Sequence, residues 1–175
     1  MNRSRSVCHI FEPNVRDHAI ATLAPNGKPG AITRASFDDW RIDACPHHGP
    51  ALAFDAKGRR HQVWFSGGDD NGGLFYSVTA PGGRSAKALR LGGVRAEHGD
   101  VLAAGNSIAV VWKEFDGQAT TVRARWSAQG GAWQERTLAT TAGASDHPHL
   151  VGDGGAIWLV WRTEAEGIVT RKVGA

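Results

Sequence analysis

Apolar and polar residues alternate with period two along Thr120-Thr121-Val122-Arg123-Ala124-Arg125-Trp126, which places Val122, Ala124 and Trp126 on one face. Side chains of a β-strand alternate between faces in this period, so the stretch predicts a half-buried strand. Short apolar runs bounded by Gly, Asn, Asp and Pro recur along the rest of the chain. No window of ten or more residues carries a helical stripe. The pattern therefore predicts many short strands joined by turns.

The runs repeat. His48-Gly49-Pro50-Ala51-Leu52, His98-Gly99-Asp100-Val101-Leu102 and His147-Pro148-His149-Leu150-Val151 follow one another at intervals of 50 and 49 residues. Each leads, after 16, 14 and 14 residues, to a second apolar run bearing Trp: Val63-Trp64-Phe65, Val111-Trp112-Lys113 and Val160-Trp161-Arg162. The residues between them, such as Asp55-Ala56-Lys57-Gly58 and Ala104-Gly105-Asn106, suit a hairpin turn. A polar loop and a third strand follow, at residues 74–79, 120–127 and 168–173. In the two central units a Gly-Gly turn leads to a fourth strand near residues 86–91 and 133–138.

A four-stranded antiparallel unit recurring every 40 to 50 residues or so predicts an all-β chain, a β-propeller of four-stranded antiparallel blades. A β-sandwich also has many short strands, but it has no reason to repeat His, Trp and Gly-Gly at matched offsets. The expected blades span residues 6–42, lacking the first strand, 47–92, 97–139, and 147–175, lacking the last. That amounts to about half of a propeller in a single partial domain. Its uncovered flanks predict self-association into a homo-oligomer or pairing with a missing N-terminal half.

Composition narrows the partners. The net charge of +3 and pI near 9.2 come from basic residues spread singly among acids, so no phosphate-tracking stripe is present and no nucleic acid is expected. Neither a signal-peptide core nor a membrane-spanning run is read in the chain, and no membrane partner is expected. Cys8 and Cys45 allow at most one disulfide; with no CxxC spacing, two free thiols are the expectation. Cys45, before Pro46 and an apolar run, reads as a packed hydrophobe rather than a redox group.

Asn14 to Thr22 (NVRDHAIAT) and Phe37 to Pro50 (FDDWRIDACPHHGP) resemble bacterial sialidase-like proteins with Asp-box repeats. Ser127-Ala128-Gln129-Gly130-Gly131-Ala132-Trp133 resembles a degenerate Asp box, one residue short and with Gln129 in place of Asp. The resemblance implies a six-bladed propeller, usually exported, of which this chain would be the C-terminal half. The activity it implies is exo-sialidase, a glycoside hydrolase built on an arginine triad, a Tyr/Glu pair and an acid/base Asp. The one tyrosine of the chain, Tyr76, lies in an apolar third strand and reads as a packing residue. A full catalytic set is therefore not expected here.

If the repeats are blades, His47, His48, His98, His147 and His149 open on one axial rim. The loops after the second strands bring Asp69, Asp70, Glu114, Asp116, Glu164 and Glu166 to the same rim, and Arg16 and Asp17 occupy the matching position of the first unit. Such a ring suits a carbohydrate or another small polar ligand, bound through neutral and charged hydrogen-bonding groups. His48, His98 and His147 are alternatively candidates for holding a divalent metal, and a third reading is that each His merely bonds the corner between blades.

Overall fold

The computed structural model describes residues 3–11, 13–44, 47–68, 72–84, 86–128 and 130–174. Among them the chain forms fourteen strands and no helix. The first sheet holds β1 (Arg3–Cys8), β2 (His18–Leu23) and β3 (Pro29–Arg34), in that order. The second holds β4 (Ala51–Phe54), β5 (Arg60–Ser66), β6 (Gly73–Thr79) and β7 (Leu89–Leu91). The third holds β8 (Ala96–Ala104), β9 (Ser107–Phe115), β10 (Thr120–Ser127) and β11 (Gln134–Thr141). The fourth holds β12 (His149–Asp153), β13 (Ala156–Thr163) and β14 (Gly167–Val173).

All pairings are antiparallel between sequence neighbours, as short turns require. The third strand expected at residues 120–127 is β10 itself, whereas the fourth strand expected from residue 86 shortens to β7. There the Ala86 N–H still donates to the Val78 carbonyl at 2.9 Å, but regular pairing with β6 runs only from Leu89 to Leu91. The first strands of the four sheets form a row: β1 touches β4, β4 touches β8, and β8 touches β12, so the first sheet, expected to lack its first strand, holds one in β1 and ends at three strands.

The sheets are apolar on both faces where they stack. Along β9, Ile108, Val110 and Trp112 join a core with Val63, Leu74, Tyr76 and Leu91 of the second sheet. The alternate residues Ala109 and Val111 join Val122, Ala124 and Trp126 in a core with Leu150, Ile157, Leu159 and Trp161 of the fourth. A strand buried on both faces reads as a continuous apolar run, which is why Ile108-Ala109-Val110-Val111-Trp112 shows no alternation.

The repeated tryptophans are all buried, Trp112 and Trp161 within these cores: Trp64, Trp112 and Trp161 are 4%, 0% and 1% exposed. Each indole N–H has an acceptor. Trp64 donates to Asp38 Oδ2 at 2.7 Å, Trp112 to Glu114 Oε1 at 2.8 Å, and Trp161 to the Asp146 carbonyl at 3.0 Å. A buried indole left unpaired would forfeit part of what its burial gains.

Tyr76 is also core, as its apolar neighbours suggest. Its hydroxyl lies 2.6 Å from His61 Nδ1, and His61 Nε2 lies 3.3 Å from Asp55 Oδ2. Arg59 beside Asp55 holds that carboxyl at about 2 against the opposing effect of burial, so it is an ionised acceptor. His61 Nε2–H therefore donates to Asp55, and Nδ1 accepts the Tyr76 hydroxyl proton. Burial raises the phenol well above its usual range.

The second and third sheets approach closely at Gly99. A Cβ there would overlap Val63 Cγ1 and lie 3.0 Å from Leu74 Cδ2. Gly99→Ala is expected to destabilise the chain by about 1–3 kcal/mol through overpacking. A urea denaturation midpoint equal to that of the unaltered chain would contradict the close approach.

Candidate functional site

The row of first strands brings the repeated histidines together. His48 precedes β4, His98 lies in β8, and His147 precedes β12. The His48 and His98 rings stack at 4.6 Å between centroids with planes 30° apart, and His98 and His147 stack at 3.5 Å and 16°. On the other side of His48 lies Phe65, at 4.1 Å and 24°, and Trp40 meets Phe65 edge-on at 5.8 Å. A column of rings thus runs from the first sheet to the fourth.

His98 is placed by an irregularity in β8. Glu97 pairs with Lys113 and Asp100 with Val111, so His98 and Gly99 together oppose the single residue Trp112 of β9, one extra residue in β8. His98 takes φ 51°, a left-handed conformation uncommon outside Gly. Bulges of this kind re-aim side chains, and here the bulge directs His98 into the column. Asp100, just beyond, accepts N–H bonds from Val101 and Leu150, both at 2.8 Å, which ties β8 to β12.

The column is bordered by charge. Glu97 Oε2 lies 3.7 Å from His98 Nε2, and Glu97 Oε1 lies 3.8 Å from Lys113 Nζ. Burial, reinforced by His147, His48 and Lys113, pulls the His98 imidazole down to about 3. Burial also lowers His48, with Glu97 opposing, and lowers His147, with Lys113 adding to the effect. Mutual repulsion among close imidazoles and a nearby ammonium disfavours every added proton. At neutral pH the column is therefore a stack of uncharged rings.

At its fourth-sheet end the column opens on a cavity of about 350 Å³ lined by Asp146, His147, His149, Val160, Arg162 and Ile168. Arg162 Nη1 lies 3.3 Å from Asp146 Oδ2, and His149 Nδ1 lies 3.8 Å from Asp100 Oδ2. The walls combine a carboxylate, a guanidinium and two exposed imidazoles with an apolar patch from Val160 and Ile168.

The other residues expected on the rim have different employment. His47 is exposed, and no ring contact joins it to the column among the described residues. Asp17 is buried and paired with Arg34, which also reaches Asp39 at 2.5 Å; Arg16 Nε instead donates to Asn14 Oδ1 at 3.2 Å. Glu114 is held by the Trp112 indole and the Gly93 N–H. Asp116 accepts from the Gln118 and Ala119 N–H groups of its own turn, and Glu166 accepts from the Thr163 hydroxyl at 2.7 Å. Glu164 donates its backbone N–H to the Ala144 carbonyl. Asp69, Asp70, Cys45 and Gln129 lie outside the described residues, as does the side chain of Cys8.

Sequence reasoning missed Glu97, Lys113 and Phe65. Glu97 directly precedes the repeated His98, and β8–β9 pairing puts Lys113 opposite it. Phe65 follows Trp64 on the alternate face of β5. Those cross-strand pairings were the available signal, and the bulge that breaks their register is what hid it.

The depressed His98 value sets a pH dependence. Between about 3 and the ordinary 6.5, the unfolded chain binds a proton that folded His98 refuses. Stability is thus full above pH 6.5 and falls as pH drops toward 3. His98→Asn, which tolerates the left-handed backbone, is expected to flatten the urea midpoint between pH 7 and 5 relative to the unaltered chain. In imidazole NMR, His98 should stay neutral down to pH 4; protonation near pH 6 would refute the assignment.

No protein-family model matches this chain, and no curated protein matches it.

Proposed function

We propose that the four sheets are blades of a sialidase-like β-propeller segment, and that its axial face binds a carbohydrate or another small polar ligand without carrying a full catalytic set. The observation that carries this reading is the convergence of His48, His98 and His147, one from each of three repeats, into a single stack ending at a polar cavity. The adjacent first strands β1, β4, β8 and β12 support the blade arrangement, since blades meet at their innermost strands.

The cavity chemistry suits a sugar. Exposed His147 and His149, with Asp146 and Arg162, offer donors and acceptors for hydroxyl or carboxylate groups, while Val160 and Ile168 offer an apolar face. Its volume of about 350 Å³ falls at the small end of ligand pockets. Catalysis by Tyr76 is disfavoured, because its hydroxyl is buried and engaged by His61. Arg16 and Asp17 do not act as a paired clamp, since Asp17 is taken by Arg34.

Titration of the purified chain with N-acetylneuraminic acid and a panel of neutral hexoses, followed by saturation-transfer NMR, tests the reading. At least one sugar is expected to bind, and the double variant His147→Ala, His149→Ala should weaken it at least ten-fold. Absence of binding across the panel at millimolar sugar sinks the proposal. No turnover of a fluorogenic sialoside is expected; turnover that Arg16→Ala abolishes would make the chain an enzyme instead.

A second reading, an assembly module, is favoured by the outer face of the fourth sheet. Val151 and Ile168 are 45% and 64% exposed there, and Val160 lies on the same side of β13. The corresponding face of the third sheet, with Ala109 and Val111, is fully buried by its neighbour. Under this reading a second copy covers the face. Light scattering should then give a dimer that Ile168→Asp dissociates; a monomer at high concentration excludes it.

A further inference from the structure

We infer that His48, Glu97 and His98 form a binding site for one divalent transition-metal ion of the zinc class. The inference goes beyond the ligand-binding reading and stands without it.

One donor atom from each of these three residues lies within 4.8 Å of the other two. Zinc bonds to His nitrogen and carboxylate oxygen are about 2.0–2.2 Å in tetrahedral sites, so ligand atoms around one ion lie about 3.3–3.6 Å apart. Shifts of under about an ångström by each ligand close the site. Two neutral nitrogens and one carboxylate oxygen form a donor set with open positions, the arrangement of borderline metals rather than of calcium or magnesium.

Three features point to a ligand here rather than to a self-sufficient hydrogen-bond cluster. His48 Nδ1 is buried and has no hydrogen-bond partner among the described residues. Among the described residues the basic groups nearest Glu97, His98 and Lys113, stand at 3.7 and 3.8 Å, beyond normal hydrogen-bond length. The backbone at His98 is held at φ 51° in a bulge, an unfavourable conformation that turns its ring beside His48 and Glu97.

Ring geometry also decides against the three-histidine set suggested by the repeats. His98 and His147 are only 16° from parallel at 3.5 Å, so their in-plane lone pairs run side by side and do not meet at one ion. The His48 and His98 rings stand farther apart, at 4.6 Å and 30°, and each offers a donor atom within 4.8 Å of the other and of Glu97. Glu97 thus takes the third position, and His147 becomes a stacked cover that fixes the His98 ring. Lys113, facing the far oxygen of Glu97, orients the carboxylate and leaves Oε2 for the ion.

The test uses the full chain stripped with a chelator, then titrated with Zn²⁺ by calorimetry and with Co²⁺ by absorption spectroscopy. One equivalent of Zn²⁺ per chain is expected, with cobalt d–d bands that Zn²⁺ displaces. His48→Ala and Glu97→Gln should each weaken Zn²⁺ at least ten-fold, and His147→Ala by no more than three-fold. Should a variant fail to fold, Co²⁺ broadening of the His48 and His98 imidazole resonances in the unaltered chain reports the same ligands. A folded chain that takes up neither metal overturns the inference, as does a His147→Ala loss equal to that of His48→Ala. Sugar titrations on stripped and zinc-loaded protein separate the two proposals. Metal uptake without sugar binding removes only the ligand reading, and sugar binding without metal uptake removes only the metal.

Discussion

Burial of a tryptophan between neighbouring sheets, with its indole N–H satisfied, is the contact on which the rest of the structure depends. A sheet that is apolar on both faces gains nothing by lying alone, since each face left in water forgoes its hydrophobic contribution. Trp64, Trp112 and Trp161 fill the gaps between successive sheets, and acceptors from Asp38, Glu114 and Asp146 let them do so without an orphaned donor. The acceptors differ, two carboxylates and one backbone carbonyl, so the repeat conserves a physical requirement rather than a residue. It also explains Glu114, which looks like a rim acid but spends its carboxylate on Trp112.

That stacking forces the first strands side by side, and the site is its by-product. Residues that open a first strand in each repeat have no choice but to meet. His48, His98 and His147 meet ring to ring, and the low dielectric and close company of other imidazoles keep them uncharged. Neutral imidazoles can stack, donate, accept or ligate, whereas imidazoliums at these distances would repel. The packing that makes the fold thus also determines the chemical state of its candidate site.

Much of this was legible in the sequence because both signals are local and periodic. Period two marks β10, the His-to-Trp spacing marks β4 with β5 and β8 with β9, and turn residues such as Gly58 and Gly105 take positive φ where the hairpins reverse. The meeting of His48, His98 and His147 followed from repeat alignment alone. What escaped was whatever depends on pairing between distant positions: the Asp17–Arg34 ion pair, the Glu97–Lys113 cross-strand neighbours, and the Asp55–His61–Tyr76 chain. A bulge compounds this, because one irregular step in β8 reorients His98 without any mark in composition.

The Asp55–His61–Tyr76 chain has a practical consequence. Tyr76 is the sole tyrosine among 175 residues, and its hydroxyl proton is locked against His61 inside the second sheet. A phenol held this way cannot ionise at its solution value until the layer around it opens. Alkaline ultraviolet difference absorbance therefore reads one strand, β6, out of fourteen. The protein carries its own chromophore for separating the opening of its second sheet from the loss of the whole fold.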